Sequence, residues 1–294
     1  MRTLAWNCRG LVRPNAIRNL RANIRKYNPD VVFLSETLVS DDRTISIVHS
    51  LGFHLFVCIP AVCKKGGLLL MWRPGLDLEP VNLNMNAFSV LVYSDPSYHP
   101  WLLTYVYAPA QQHQKASFWS HLYSIHQAFN GPWLCIGDFN DVINQNEKYG
   151  GRPFISNSNQ GLKAIMDRHG LIDIGYSGPQ YTWSNNRNGM ALIRERLDRA
   201  IATQEWRLLF PDASLQHLAS SASDHHPLLL HTINNQKHAS SFKFEEFWIH
   251  EPLSHNIIRE AWNKAFQGNP AYILCQKIKS TKEALKFWNR NHFG

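Results

Sequence analysis

Cysteine is scarce in this 294-residue chain, and the five present never stand in a Cys-x-x-Cys spacing. Cys8, Cys58, Cys63, Cys135 and Cys275 fall mostly in apolar surroundings such as Trp133–Ile136. Reduced core thiols are therefore expected, and a structural zinc site, which needs paired ligands, is not. Long hydrophobic runs are missing too: Leu68–Trp72, as long as any, is far short of the roughly 20 residues a membrane-crossing helix needs. The opening MRTLAWNCRG reaches Asn7 and Arg9 without the apolar segment of a secretory signal, so an intracellular protein is expected. Basic residues run no longer than the pairs Arg25-Lys26 and Lys64-Lys65, and no nuclear address is visible. There is no internal repeat and no low-complexity block.

The residues that are present build a core. Hydrophobic residues make up 44% and aromatic residues 12%, which excludes disorder and, at this length, allows one large domain plus an appendage. Lys and Arg number 30 against 22 Asp and Glu, a balance of +8 that suits a polyanionic partner and equally an ordinary solvated surface. Up to Asn234 there are 21 basic and 17 acidic residues, and beyond it nine and five, so the last 60 residues are the more densely basic part.

Apolar strand-like runs alternate with helical patterns up to residue 233, the rhythm of an α/β protein. Strands are predicted at Thr3–Asn7, Val31–Leu34, Leu68–Trp72, Phe88–Tyr93, Trp101–Tyr107, Trp133–Gly137 and Leu228–Ile233. Helices are predicted at Asn15–Tyr27, Gln114–Phe129, Gly161–His169 and Gln204–Leu209; the first places Ile17, Leu20 and Ile24 on one face, with Arg18, Arg21 and Arg25 turned away. Polar, aperiodic residues at 234–241 mark a linker. Beyond it His255–Phe266 and Ala271–Trp288 read as amphipathic helices whose apolar stripes require something to pack on.

Four segments carry side chains able to do chemistry. WLCIGDFN at 133–140 is an apolar run ending in Asp138, with Asn140 two residues on. Strand periodicity points both the same way, and a carboxylate beside an amide can hold a water and a phosphate oxygen together. The pair equally suits a turn stabilised by backbone hydrogen bonds, a role expected of Asp141. SDHHP at 223–227 delivers His225 to the rim of a sheet as an acid or charge stabiliser, although spacing does not tell which of His225 and His226 points inward. VVFLSE at 31–36 ends an apolar strand in Glu36, the way α/β sheets build hard-metal sites. In ERLDR at 195–199, Asp198 lies among arginines and reads on its own as part of a surface ion pair of little energetic worth.

Taken in order, WNCRG at 6–10, SET at 35–37, YAP at 107–109, GDFN at 137–140, RLDR at 196–199 and SDHHP at 223–227 give the chain a family resemblance. It resembles the endonuclease/exonuclease/phosphatase superfamily, and within it the apurinic-type endonuclease domain of plant non-LTR (LINE-type) retrotransposons. The resemblance covers residues 1–233. The tail at 242–294, with FKFEEFW and KFWNRNHFG, resembles the segment that connects endonuclease to reverse transcriptase.

What the resemblance implies is specific. The fold would be a four-layer α/β sandwich, two packed mixed β-sheets flanked by helices, with a helical C-terminal tail. Glu36 would be the principal ligand of Mg²⁺, or of Mn²⁺, with Asn7 beside it and Asp224 completing the metal side. Asp138 would position and deprotonate the attacking water. Asn140 would hold the phosphate and Tyr107 would hydrogen-bond it, while His225, oriented by Asp198, would stabilise charge on the phosphoryl group. Thr182 and Trp183 match a strand near the DNA-binding rim, Trp183 also suiting the core, and Asn185 and Asn186 would line that rim. Where apurinic repair nucleases carry a second acid two positions after the Asn, this chain has Arg9, which weakens the case for a second metal and for abasic-site repair and offers a phosphate contact instead.

The expected activity is Mg²⁺-dependent nicking of DNA to leave a 3′-hydroxyl, in the nucleus if the substrate is chromosomal. No [FY]xDD reverse-transcriptase signature is present, Asp41-Asp42 being the only Asp-Asp pair, so a reverse transcriptase would have to come from outside this chain. Two other readings stay open: a small-phosphoester phosphatase on the same fold, and a silent or domesticated remnant that binds nucleic acid or protein.

Overall fold

Along Arg2–Asn7 (β1) the side chains of Leu4 and Trp6 enter one apolar cluster and that of Ala5 another, so neither face of the strand meets water. Val31–Ser35 (β2) repeats the pattern, Val31 and Phe33 on one side, Val32 and Leu34 on the other. Strands buried on both faces read as unbroken apolar runs, and they require a layer on each side. The computed structural model shows those layers; it describes residues 1–61, 66–154, 161–220, 222–233, 244, 248–249, 251–267 and 270–292.

The chain divides into two compact units, Met1–Asn234 and Asn235–Gly294. The first holds two mixed six-stranded sheets. Sheet I has β1 and β2 beside Leu55–Ile59 (β3), Leu68–Trp72 (β4), Ser214–His217 (β14) and Leu228–His231 (β15), in the order β14-β15-β1-β2-β4-β3. Sheet II has Leu78–Asn84 (β5), Ala87–Val92 (β6), Trp101–Tyr107 (β7), Trp133–Asp138 (β8), Ile172–Asp173 (β10) and Asp198–Ala202 (β13), in the order β10-β13-β8-β7-β6-β5. Only β1–β2 and β7–β8 pair in parallel; the other pairs within these sheets are antiparallel. A small third sheet joins Lys148–Tyr149 (β9), Trp183–Ser184 (β11) and Arg194–Glu195 (β12).

The central core lies between the sheets, where Phe33, Leu70 and Leu228 meet Phe88, Tyr105 and Ile136. Outside sheet I lie Pro14–Tyr27 (α1) and Asp41–Ser50 (α2); outside sheet II lie Gln112–Phe129 (α3) and Leu162–His169 (α4). Pro14 starts α1, and the left-handed Asn28 stops it by donating its N–H to Ile24 O. Its buried stripe is Ala16, Leu20 and Ile24, so Ala16 takes the inward place expected of Ile17. Gln204–Leu209 (α5) contributes Trp206 to the central core. The result is the four-layer α/β sandwich expected.

The second unit holds Pro252–Trp262 (α6) and Pro270–His292 (α7), with Trp248, Leu285 and Trp288 buried together. Of the apolar residues at helical spacing in the two predicted helices, Ala261 and Leu285 are buried, whereas Trp262, Leu274 and Ile278 are exposed. The predicted linker at 234–241 and most of FKFEEFW lie outside the described residues, as do Cys63 and the Lys64-Lys65 pair. Cys8, Cys58 and Cys135 are free thiols, the first and last buried.

Candidate active site

Strand register brings the motif residues together. Tyr107 and Asp138 are partners where β7 and β8 end, and Asp138 is in turn the partner of Asp198 at the start of β13. On the opposing sheet, Asn7 is the partner of Ser35, so Asn7 and Glu36 emerge side by side. The two sheets meet through these side chains: Asn7 Nδ2 donates to Asp138 Oδ2 at 2.9 Å and to Glu36 Oε1 at 3.0 Å, and the Tyr107 hydroxyl lies 3.1 Å from Glu36 Oε1. Gly137 makes the approach of β7 and β8 possible. A Cβ there would lie 2.1 Å from Val106 O, and its φ of +142° is one that L side chains rarely adopt.

His225, not His226, points inward. Its Nδ1 lies 2.9 Å from Asp198 Oδ2 and its Nε2 3.8 Å from Asp138 Oδ2, while His226 Nδ1 turns to Leu218 O. Burial works against charge on His225, but Asp198 and Asp138 outweigh it and raise its pKa to about 9. Burial likewise raises Asp138, to about 6, against the pull of the His225 charge. The site thus holds an imidazolium flanked by two buried carboxylates near neutral pH. Ligand-type atoms of Asp138, Asp198 and His225 all lie within 4.8 Å of one another, close enough for a metal, but the 2.9 Å Asp198–His225 bond already commits one imidazole nitrogen.

A cleft of about 690 Å³ opens beside this chain of groups, lined by Arg9, Arg13, Glu36, Tyr107, Asn186 and Asp224 among others. Arg9 Nε lies 3.2 Å from Glu36 Oε2 and its Nη1 2.5 Å from Asp224 Oδ2. The donor set fits a hard divalent cation. Glu36 supplies a carboxylate, and Asn7 Oδ1 is a buried carbonyl-type oxygen with no hydrogen-bond partner among the described residues.

Several expected contacts differ. Asn140 is not strand-like: β8 ends at Asp138, Asn140 is left-handed (φ +48°), and its N–H donates to Asp138 Oδ1 at 2.9 Å. The turn alternative therefore holds within this motif, and the Asn140 Nδ2 group already donates to Ala108 O, leaving one amide hydrogen for a phosphate. Tyr107 directs its hydroxyl at Glu36 rather than outward. Asp224 Oδ2 receives both Arg9 and Trp183 Nε1, so it is engaged by cation and indole instead of standing free for a metal.

Thr182 does not line a rim. It is fully buried, and its Oγ1 accepts the N–H groups of Leu197 and Asp198, which makes it a bracket for the Asp198 strand. Asn185 is also turned inward on its own loop, bonding Ala191 O, Arg187 N and Ile193 N, whereas Asn186 lines the cleft as expected. Trp183 is half-buried and holds Asp224. Asp141 accepts from Val142 N and Leu162 N, serving the start of α4 as well as its turn.

Other residues that build the site carry little or no signal in the sequence pattern. Ser223 Oγ donates to Asn7 O and accepts from His225 N, tying the SDHHP loop to the end of β1; a Ser two residues before the His is the signal for such a turn. Lys115 is buried on α3 and bonds Asn140 O at 2.6 Å and Asp141 at 3.1 Å. The arginines around Asp198 are interior, contrary to the surface pair expected: Arg196 and Arg199 share Glu147 and Asp173 in a buried network. Nothing in the spacing of ERLDR tells that distant acids from residues 147 and 173 meet it.

Residues 4–225 match the model of the Endonuclease/Exonuclease/phosphatase family, and the chain belongs to that family. Among solved structures it is similar to the endonuclease domain of TRAS1, a telomere-specific non-LTR retrotransposon, at 16% identity and a TM-score of 0.57, covering 80% of this chain and 99% of that one. It is also similar to the 3′-5′ exonuclease NExo from Neisseria meningitidis (17% identity, TM-score 0.60, 79% of this chain and 99% of that one). The AP endonuclease LMAP from Leishmania major is 20% identical, with a TM-score of 0.60 over 78% of this chain and 86% of that one. Among curated proteins none matches the sequence.

Proposed function

We propose that the chain is a Mg²⁺- or Mn²⁺-dependent phosphodiesterase that nicks DNA and leaves a 3′-hydroxyl, derived from a non-LTR retrotransposon. The observation that carries the chemistry is the buried order Asp138–His225–Asp198, with Asn7 joining Asp138 to Glu36 across the two sheets. Asp138, ionised above about pH 6, takes a proton from water. The oxygen of that water attacks phosphorus, the bond from phosphorus to the 3′ oxygen breaks, the 3′ oxygen takes a proton from solvent to become the hydroxyl, and the phosphate stays on the 5′ end. His225, charged and held by Asp198, faces the negative charge that develops on the phosphoryl group. Asn140 offers its second amide hydrogen to a phosphate oxygen. Glu36 and Asn7 Oδ1 would hold the metal, which when bound supplies Lewis-acid neutralisation of phosphoryl charge.

DNA as substrate is supported by the net charge of +8 and by the resemblance of the ordered motifs to retroelement endonucleases. The fold shared with an exonuclease and two endonucleases accommodates the same chemistry. The test is conversion of supercoiled plasmid to open circle by purified protein in Mg²⁺ and in Mn²⁺, with a chelator control and an Asp138→Ala variant. Metal-dependent nicking that disappears in Asp138→Ala is expected. Intact plasmid under all conditions, with release of phosphate from small phosphomonoesters, would transfer the site to a phosphatase; intact plasmid with neither would leave a binding remnant.

A further inference from the structure

We propose that Arg9 is a resident cation on the Glu36 and Asp224 carboxylates, and that a divalent metal enters this site only by exchange with its guanidinium. The inference rests on the metal-dependent reading above and adds a competitor to it.

The backbone fixes where Arg9 stands. The loops after β1 and β2 are laced together by Cys8 N to Ser35 O, Gly10 N to Glu36 O and Leu11 N to Thr37 O, so Arg9 and Glu36 ride on one unit. Both residues are left-handed, at φ +44° and +51°, a region that residues of their type seldom adopt and that is retained where surrounding contacts enforce it. The side chain then reaches across the cleft mouth, 3.2 Å from Glu36 and 2.5 Å from Asp224. Glu36 has no idle oxygen: Oε1 receives Asn7 Nδ2 and the Tyr107 hydroxyl, and Oε2 receives Arg9.

An incoming hard cation meets the charged donor on Glu36 Oε2, which both occupies that oxygen and repels the ion, so the guanidinium has to give way. Arg9 has a way out to solvent, since its side chain is 48% exposed. Asp224 would stay in place when it does, because Trp183 Nε1 holds the same oxygen at 3.0 Å. With Arg13 also lining the cleft, two arginines share it with the two carboxylates, so the site attracts a dication less than its acids alone would.

The experiment is direct Mn²⁺ binding, read from the electron paramagnetic resonance signal of the free ion, with no substrate present. Wild type is compared with Arg9→Asn, chosen because Asn tolerates the left-handed backbone, and with Arg9→Lys, which keeps the charge without the fork. Thermal unfolding of each variant checks that it is folded. Arg9→Asn is expected to bind Mn²⁺ about 10- to 100-fold more tightly than wild type, with Arg9→Lys between them. Adding Glu36→Gln to Arg9→Asn is expected to remove the gain. Equal affinity in wild type and Arg9→Asn, or a gain that survives Glu36→Gln, would overturn the exchange while leaving the metal-dependent reading intact. Mn²⁺ binding by none of the proteins would instead sink that reading, and the exchange with it.

Discussion

On one side of the cleft, Asp138, His225 and Asp198 are buried and joined, the two carboxylates aligned by strand register and His225 set between them by a loop tied to β1. On the other, Glu36, Arg9 and Asp224 sit on loops, partly exposed, and are held by opposite charge and left-handed backbone. The first side needs no rearrangement to hold a proton between its groups. The second has to exchange partners before it can accept another cation. A hydrolase of this kind thus keeps its proton-handling groups in the rigid part of the fold and its ion-handling groups where side chains can rotate, which is also where the cleft opens.

That contrast can be broken most severely at His225. His225→Ala should lower single-turnover nicking by about 10²- to 10⁴-fold, because it removes the cation facing the phosphoryl group and leaves Asp138 and Asp198 without their shared partner. In wild type the rate should rise as pH passes about 6, where Asp138 ionises, and fall as it passes about 9, where His225 loses its proton. The sign for stability follows from the same shift. His225 is raised above its unfolded value of 6.5, so the Asp198–His225 pair contributes fully below that pH and its contribution is lost as pH climbs through about 9. A falling limb near 6.5 in the rate profile would show that the two carboxylates do not hold the proton.

Stability, with a smaller effect on rate, is expected to break next at Glu147. Glu147→Ala leaves Arg196 and Arg199 short of a buried partner and should cost about 3–5 kcal/mol, measured as a fall in denaturant midpoint at constant slope. Thr182→Val is the mildest test. It keeps the shape but strands the N–H groups of Leu197 and Asp198, for a loss of about 1–3 kcal/mol. If Thr182 is a bracket for Asp198, the variant should lose kcat rather than KM; a change in KM alone would return Thr182 to the substrate rim.

The sequence made the interior of the sandwich legible and its margins much less so. Leu68–Trp72 and Trp101–Tyr107 coincide with β4 and β7 because burial on both faces leaves an unbroken apolar run. The strands β5 and β14 escaped prediction because they stand at sheet edges, where half-exposed positions admit Glu79, Asn82 and Gln216, and β5 even carries Pro80; the edge strand β3 escaped although LFVCI is an unbroken apolar run, and the interior β13 because it opens on the charged Asp198 and Arg199. Helix α2 was hidden by Thr44, Ile45, Ile47 and Val48, β-branched residues that weaken a helical reading. In the site, motif order located Asp138, Glu36 and His225, but no spacing rule reveals that Thr182 is sealed under Asp198 or that Lys115 reaches Asn140 from a helix. Those contacts join distant parts of the chain, and local pattern does not encode them.

Finally, β1 is the middle of sheet I, paired on one edge with β2 and on the other with β15, while His225 comes just ahead of β15. During synthesis the first strand must wait for more than 200 residues before its second edge is covered, and Asp138 exists for much of that time without its imidazolium partner. Activity is therefore tied to completion of the domain: a nascent chain that has emerged only as far as Asp198 has both carboxylates and no His225 to sit between them. A site arranged in this way is completed last, by the segment that leads into the strand closing the sheet.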